Sequence, residues 1–311
     1  MTAAPARIEA AGTRATPARW RRFLAHRAAV ASAVVLALLA AAALAAPAIA
    51  RAYGADPGQV DLLNRYAPPS AEHWLGTDAL GRDLFLRLVF GGRVSLLVGL
   101  AAAFGAAVIG TAIGLVSGFA GGRTDAVLMR LTDAVIALPL LPFLIILAAI
   151  DLAKLPLPEG WAEADTASLW RIVAIVALFG WPTVARLVRG TALSLREREF
   201  VLAARALGAG PARIALAHVL PNAVSPIVVA TTLSVGNIIL LESVLSFLGL
   251  GVQPPTASWG TMLTNAQELI WSAPALAVWP GLMIFVTVIA FNFLGDGLQD
   301  ALDPRAVVTR R

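Results

Sequence analysis

The chain has 311 residues, of which 59% are hydrophobic and 14% charged, and its mean hydropathy is +0.78. This composition excludes an ordinary soluble globular protein and predicts an all-α polytopic membrane protein. The formal net charge of +5 comes from arginine, since Lys154 is the single lysine. The arginines flank hydrophobic stretches, as residues that set membrane topology do, so nucleic acid is not expected as a partner.

The first predicted span follows a basic tail. Residues 1–27 are rich in alanine, proline and arginine and contain one acid, Glu9, so the positive-inside rule predicts a cytoplasmic N-terminus. The uncharged stretch 28–50 is long enough, at about 1.5 Å per residue, to cross a hydrocarbon core of about 30 Å. We interpret it as helix 1, and the alternative is a cleaved signal peptide, because Ala48 and Ala50 form an A-x-A site.

An outer loop with nearly balanced charges is predicted over residues 51–93. Within it, residues 76–96 are expected to form a helix lying in the membrane interface, capped by Thr77 or Asp78. Asp83 and Arg87 are four residues apart on that helix, so we expect them to form an ion pair.

Helices 2 and 3 are predicted over residues 94–116 and 127–150. Pro139 and Pro142 should kink helix 3. Every fourth position around the end of helix 2 is a glycine, which predicts that another helix packs closely against this face. These glycines are Gly110, Gly114 and Gly118.

The second half of the chain contains three further spans. Residues 151–170 form a loop with four acids and one lysine, which fits the outer side, and helix 4 follows over 172–185. Helices 5 and 6 are predicted over 222–246 and 275–294. Helix 5 contains Glu242, which we interpret as an interfacial acid one turn from the helix end; a functional role in the transport pathway stays open, because charges inside a bilayer are costly.

Between helices 4 and 5 lies an arginine-rich segment, Ser194 to Pro221, called the bridge below. Ser194 and Glu197 have the spacing of a capping box, which predicts a helix start. Gly208 should end this helix in a left-handed turn, and Pro211 suits the first turn of a second short helix. An apolar stripe is predicted on the first helix. Its members are Phe200, Val201, Ala204 and Leu207.

The bridge sequence LAARALGAG, followed by HVLPN, resembles the EAA loop of permease subunits of ATP-binding cassette (ABC) importers for dipeptides, oligopeptides and nickel. Leu202 stands where that family usually carries an acid, and His218 occupies a position that is usually apolar. Four other stretches also resemble the family. They are GTDALGRDLFLRLVFGGRVSL, MRLTDAVIALP, LLESVLSFLGLG and FNFLGDGLQDALDPR.

The resemblance implies a six-helix, type I ABC importer permease in a bacterial inner membrane, with both termini cytoplasmic. It also implies a second permease subunit that completes the pore, cytoplasmic ABC ATPase subunits and an extracytoplasmic solute-binding protein. The expected division is 1–73 for the tail, first helix and start of the outer loop, 74–305 for the permease domain and 306–311 for the C-terminal tail. The implied ATPase-coupling residues are Leu202, Ala203, Ala204, Arg205, Gly208, Ala209, Pro211, Arg213, Leu220 and Pro221.

The sequence carries no catalytic signature of its own. It has no G-x-x-x-x-G-K-[ST] phosphate-binding loop and no cysteine, and its three histidines are far apart, so we expect no cofactor, no metal and no enzyme activity in this chain. The alternative function is an ion-coupled secondary transporter that uses Glu242, Asp133 or Asp296 as proton-linked acids. Within the importer hypothesis the solute stays open among dipeptides, longer peptides, nickel chelates, glutathione and opines.

Overall fold

The computed structural model describes residues 15–150 and 166–302, and the predicted loop acids at 151–165 lie outside these residues. Within the described ranges the protein is built from helices, and the only β-pairing is an isolated bridge between Thr77 and Asp83. The first seven helices are α1 Ala15–Ala25, α2 Arg27–Tyr53, α3 Leu84–Ala120, α4 Gly122–Ala137, α5 Leu140–Ala148, α6 Ala167–Gly180 and α7 Pro182–Leu195. The others are α8 Glu199–Ala206, α9 Pro211–Ile214, α10 Leu220–Phe247, α11 Trp259–Met262, α12 Ala266–Leu269 and α13 Ala275–Leu302.

Six membrane spans result when each broken helix pair is counted as one span. Four helical segments are long and apolar enough to cross alone: α2, α3, the continuous stretch Pro211–Phe247 and α13. The other two spans are α4 with α5, bent by 84°, and α6 with α7, bent by 41°. The breaks occur at Pro139 and at Pro182, where the ring removes a backbone donor. The kink predicted at Pro139 is thus confirmed, whereas Pro142 lies inside α5.

The expected interfacial helix over residues 76–96 is wrong, because α3 begins at Leu84 and continues through span 2. Asp78 does not cap a helix; its Oδ1 accepts hydrogen bonds from the backbone nitrogens of Leu80 and Arg82 and closes a turn. Asp83 is the true N-cap, with its Oδ1 2.8 Å from the Leu86 nitrogen. Arg87 therefore pairs with Asp78 and not with Asp83, at 3.2 Å.

The glycine face of α3 packs against α7, as predicted. A Cβ atom placed at Gly110 would lie 2.6 Å from the Trp181 carbonyl oxygen, and one at Gly114 would lie 2.5 Å from the Ala185 carbonyl oxygen. At Gly118 the obstacle is the Ala192 side chain, at 2.7 Å. Only glycine permits this approach of two backbones, so spans 2 and 4 form a closely packed pair.

The spans close around two apolar clusters. The larger one joins α3, α6, α10, α13 and the buried Trp259, whose Nε1 donates to the Leu88 carbonyl oxygen at 2.9 Å. The second cluster lies where α3, α7 and α10 meet the bridge. Its buried members are Leu115, Val184, Val188, Ala192, Val201, Ile214 and Val219.

Several predicted boundaries were too short. The first span is α2, which reaches Tyr53, so the A-x-A site at 48–50 lies inside a continuous helix. The sixth span is α13, which continues to Leu302 instead of ending at 294. Span 5 begins at Pro211, because α9, a π-helical turn over 215–219 and α10 follow without a break.

Candidate functional site

The bridge starts later than predicted. Ser194 lies inside α7, which continues through Leu195, and the helix α8 is preceded by Arg198 with no side-chain cap. The capping box of Ser194 and Glu197 is therefore wrong. The reason is that the apolar periodicity of α7 keeps packing against α3 as far as Ala192, and this tertiary contact extends the helix past the local start signal.

The predicted turn between the two short helices of the bridge is confirmed, and residues 207–210 are called the hinge below. Gly208 has φ +84°, and the backbone nitrogen of Ala209 donates to the Ala204 carbonyl oxygen at 3.0 Å, which closes the end of α8. Gly210 precedes α9 and Pro211 occupies its first turn. The hinge thus ends one short helix and begins the next within four residues.

One side of the bridge is anchored in the membrane domain. Val201 is completely buried in the second cluster, and Ile214 is 1% exposed in the same cluster. The predicted apolar stripe is only partly right, because Ala204 is half-buried, whereas Phe200 and Leu207 are exposed. The bridge is therefore held to spans 2, 4 and 5 through a few small side chains.

The other side of the bridge faces outward. Leu207, directly before the hinge glycine, is 88% exposed, and Leu202 is 49% exposed. The two leucines together leave apolar surface on the exposed side of α8, and exposed apolar surface that is grouped marks a candidate contact with another protein. Among the predicted coupling residues, the half-buried ones are Ala204, Ala209 and Leu220. The exposed ones are Leu202, Ala203, Arg205, Gly208, Pro211, Arg213 and Pro221.

Two ring contacts position this surface. The Arg205 guanidinium carbon lies 5.9 Å from the centroid of the Phe119 ring, at the end of α3, in cation–π range. The Phe200 and His218 rings are 6.4 Å apart and join α8 to the π-helical turn. Leu207 was not among the predicted coupling residues, and its position directly before the helix-ending Gly208 is the sequence signal that could have identified it.

Ion pairs connect α4 to α7 near the bridge. Arg189 binds Asp125 through two hydrogen bonds of 2.6 and 2.7 Å, and Ser117 of α3 donates to the same carboxylate. Asp133 pairs with Arg186 at 2.5 Å, and both side chains are more than half exposed. Asp133, a candidate proton-linked acid in the sequence, is therefore held in an ordinary ion pair.

Glu242 lies five residues before the end of α10, near the helix end as predicted, and its side chain is completely buried in the protein. Ser246 and Ser95 donate to its two carboxylate oxygens at 2.7 and 3.2 Å. Each serine oxygen also accepts a backbone hydrogen bond at 3.1 Å, Ser246 from Val252 and Ser95 from Trp259. Glu242 thus ties span 2 and the segment 252–259 to span 5. Ser246, one helical turn after Glu242, was the sequence signal that this carboxylate accepts a side-chain hydrogen bond.

A cavity of about 400 Å³ lies beside the two broken spans. Its walls are mainly apolar, with Thr183, Ser234 and Asn237 as the polar side chains. Across residues 15–150 and 166–302, no group of three or more histidine or carboxylate side chains has metal-binding geometry. The arrangement offers a weakly polar path between helices and an exposed bridge.

These features match one protein family. Residues 110–308 match the model of the binding-protein-dependent transport system inner membrane component, and residues 18–69 match that of the N-terminal TM domain of oligopeptide transport permease C. The chain belongs to the family of binding-protein-dependent transport system inner membrane components. It is thus a permease component of an ABC importer in the inner membrane, with the type I permease fold, and not itself a catalytic enzyme.

Curated relatives of this permease share about two fifths of its residues over most of both chains. A putative peptide permease of Brucella suis is 43% identical over 287 residues, covering 92% of this chain and 89% of the relative. The oligopeptide transport system permease protein OppC of Bacillus subtilis is 40% identical, covering 91% and 88%. The glutathione transport system permease protein GsiD of Pectobacterium atrosepticum is 41% identical, covering 92% and 90%. The ion-coupled alternative is not favoured.

Proposed function

We propose that this permease forms half of the translocation pore of a peptide importer and takes its energy from a separate ATPase that binds the bridge. The observation that carries the proposal is the exposure of Leu207, 88%, on a bridge whose other side is buried in the membrane domain. The relatives named as peptide and oligopeptide permeases support a peptide as the solute.

The geometry suits mechanical coupling. A force on the exposed side of α8 reaches Val201, which packs in the same cluster as Val188 of span 4 and Leu115 of span 2. Span 5 is continuous with the bridge from Pro211 onward. Because packed helices shift as units between discrete arrangements, movement of the bridge changes the positions of spans 4 and 5.

The remaining partners follow from the same proposal. The cavity at the two broken spans, with Asn237 and Ser234 in its wall, faces a second permease subunit and lines the solute path. The bridge and both termini lie in the cytoplasm, where ATP is, and a solute-binding protein delivers the peptide on the opposite side. In this proposal the chain is divided into an N-terminal part, 1–73, a permease domain, 74–305, and a C-terminal tail, 306–311.

The test replaces Leu207 by aspartate. Leu207→Asp adds a charge to the surface that would contact the ATPase, and the variant should still insert and fold normally. ATPase copurification and peptide uptake should both fall by at least about ten-fold, because desolvating an unpaired charge in an interface costs more than about 1.4 kcal/mol. Leu63→Asp is the control, because Leu63 is 96% exposed in the loop after α2. Normal uptake by Leu207→Asp would refute the coupling role of the bridge.

A further inference from the structure

A second cavity, of about 560 Å³, lies at the end of the protein opposite the bridge. It is bounded by the segment that precedes α3 and by the segment between α10 and α13. The separation from the bridge follows from α3, whose 37 residues span about 55 Å, with Leu84 at the cavity and Phe119 beside Arg205 of the bridge. The cavity is thus on the outer side if the bridge is cytoplasmic.

A buried arginine lines this cavity. Arg87 lies in the first turn of α3, and only 9% of its side chain is exposed. Its Nε lies 3.2 Å from Asp78 Oδ2. Within the described part of the chain, neither terminal nitrogen of its guanidinium donates a hydrogen bond. Those N–H groups are open to water or a ligand in the cavity, because they are not among the buried side-chain atoms of the described chain that lack a partner.

Asp78 cannot satisfy Arg87 fully, because its carboxylate is already occupied. Oδ1 accepts the backbone nitrogens of Leu80 and Arg82, and Oδ2 accepts the Arg82 Nε at 2.8 Å. The Arg82 side chain is thereby committed to Asp78. Among the described residues, the only other charged side chain that lines the cavity is the exposed Glu268. Arg87 is therefore the cationic side chain of this lining whose terminal N–H groups make no hydrogen bond.

We propose that Arg87 anchors a carboxylate-binding site on the outer face, and that its ligand is the terminal carboxylate of a peptide on its way into the pore. The proposal rests on the proposed peptide solute. A guanidinium binds a carboxylate through two parallel N–H···O hydrogen bonds, and its two free terminal nitrogens supply this geometry. The cavity volume exceeds that of a single carboxylate and accommodates the C-terminal residues of a peptide.

A second part of the cavity wall is tied to Glu242 through Ser246. Ser246 lines the cavity, donates to Glu242 and accepts the Val252 nitrogen, so the segment after α10 is tied to span 5. Thr256 and Gln253 lie on this wall and add neutral hydrogen-bonding groups. The site is therefore a preformed pocket with one strong cationic donor and a polar rim, which is the arrangement expected for a small charged ligand.

The experiment measures equilibrium binding of trialanine and of trialanine amide to the complete importer complex, purified in nanodiscs without its binding protein. The native complex should bind trialanine at least about ten-fold more tightly than the amide, because one charge-assisted hydrogen-bonded contact to the carboxylate contributes a difference of this size. Arg87→Gln should abolish this difference. Arg87→Lys keeps a positive charge beside Asp78 and should retain part of it. Arg93→Gln, on the same helix but exposed and outside the cavity, should keep it all.

The outcomes separate three cases. Equal binding of both peptides by the native complex, or an equal loss of both in the assembled Arg87→Gln complex, overturns the site. If Arg87→Gln instead weakens docking of the solute-binding protein while peptide binding is unchanged, the carboxylate belongs to that protein and the proposal is wrong. Trialanine binding without trialanine uptake by the native complex contradicts the proposed function but not the site. Complex yield and melting temperature of Arg87→Lys establish that the comparison is made on folded protein.

Discussion

The close contact between spans 2 and 4 makes a sharp prediction at Gly114. In Gly114→Ala, the new Cβ would lie 2.5 Å from the Ala185 carbonyl oxygen and 2.8 Å from the Val188 Cβ. Because carbon–oxygen contacts need about 3.5 Å, the helices must separate by about 1 Å. The atoms in contact belong to backbone and Cβ, so no side-chain rotation relieves the overlap.

The magnitude follows from two opposing terms. Overpacking a tightly packed site destabilises by about 1–3 kcal/mol. Replacing glycine by alanine inside a helix stabilises by about 1 kcal/mol, whatever the packing. Gly190→Ala is the matched control, since Gly190 lies inside α7 with nothing within 4 Å of its Cβ position. The free energy of unfolding of Gly114→Ala should therefore be about 1–3 kcal/mol lower than that of Gly190→Ala.

The assay is equilibrium unfolding of the purified chain by SDS in mixed micelles, with both variants measured beside the unmodified protein. The difference between the two variants removes the helix-propensity term and reports the overlap alone. Equal stability of the two, or a more stable Gly114→Ala, would refute the argument that the glycine face is required for close packing. Gly110→Ala should behave like Gly114→Ala, because its Cβ would lie 2.6 Å from the Trp181 carbonyl oxygen.

Two further predictions concern the buried acid and the topology. Glu242→Ala leaves the hydroxyls of two buried serines without their acceptor and should lower the free energy of unfolding by about 1–3 kcal/mol. Glu242→Gln should be less affected, because it keeps the shape of the side chain and one acceptor. Equal stability of the alanine variant and the unmodified protein would contradict the hydrogen-bond network around Glu242. The chain has no cysteine, so single cysteines at the exposed Ser70 and Ser194 can be labelled in intact cells with a membrane-impermeant maleimide. Ser70→Cys should react and Ser194→Cys should not, and the reverse pattern would place the bridge outside.

Much of the transmembrane architecture could be read from the sequence, because it depends on local properties. Long uncharged stretches predict spans, and the break at Pro139 follows from the chemistry of proline. The left-handed turn at Gly208 is likewise a local preference of glycine. The bridge motif and the four other stretches together were sufficient to indicate the family, since each of them is a short contiguous segment.

The tertiary structure decided what depends on residues far apart in the chain. Glu242 is buried because Ser95, 147 positions away, bonds its carboxylate, and no local pattern indicates this contact. Leu207 is exposed although it continues an apolar stripe, because the second cluster accepts only Val201 and Ala204 from that stripe. Arg87 lacks full pairing because turn geometry directs the carboxylate of Asp78 to its own backbone and to Arg82. Helix periodicity determines which residues share a face, but only the packed spans determine which face is covered.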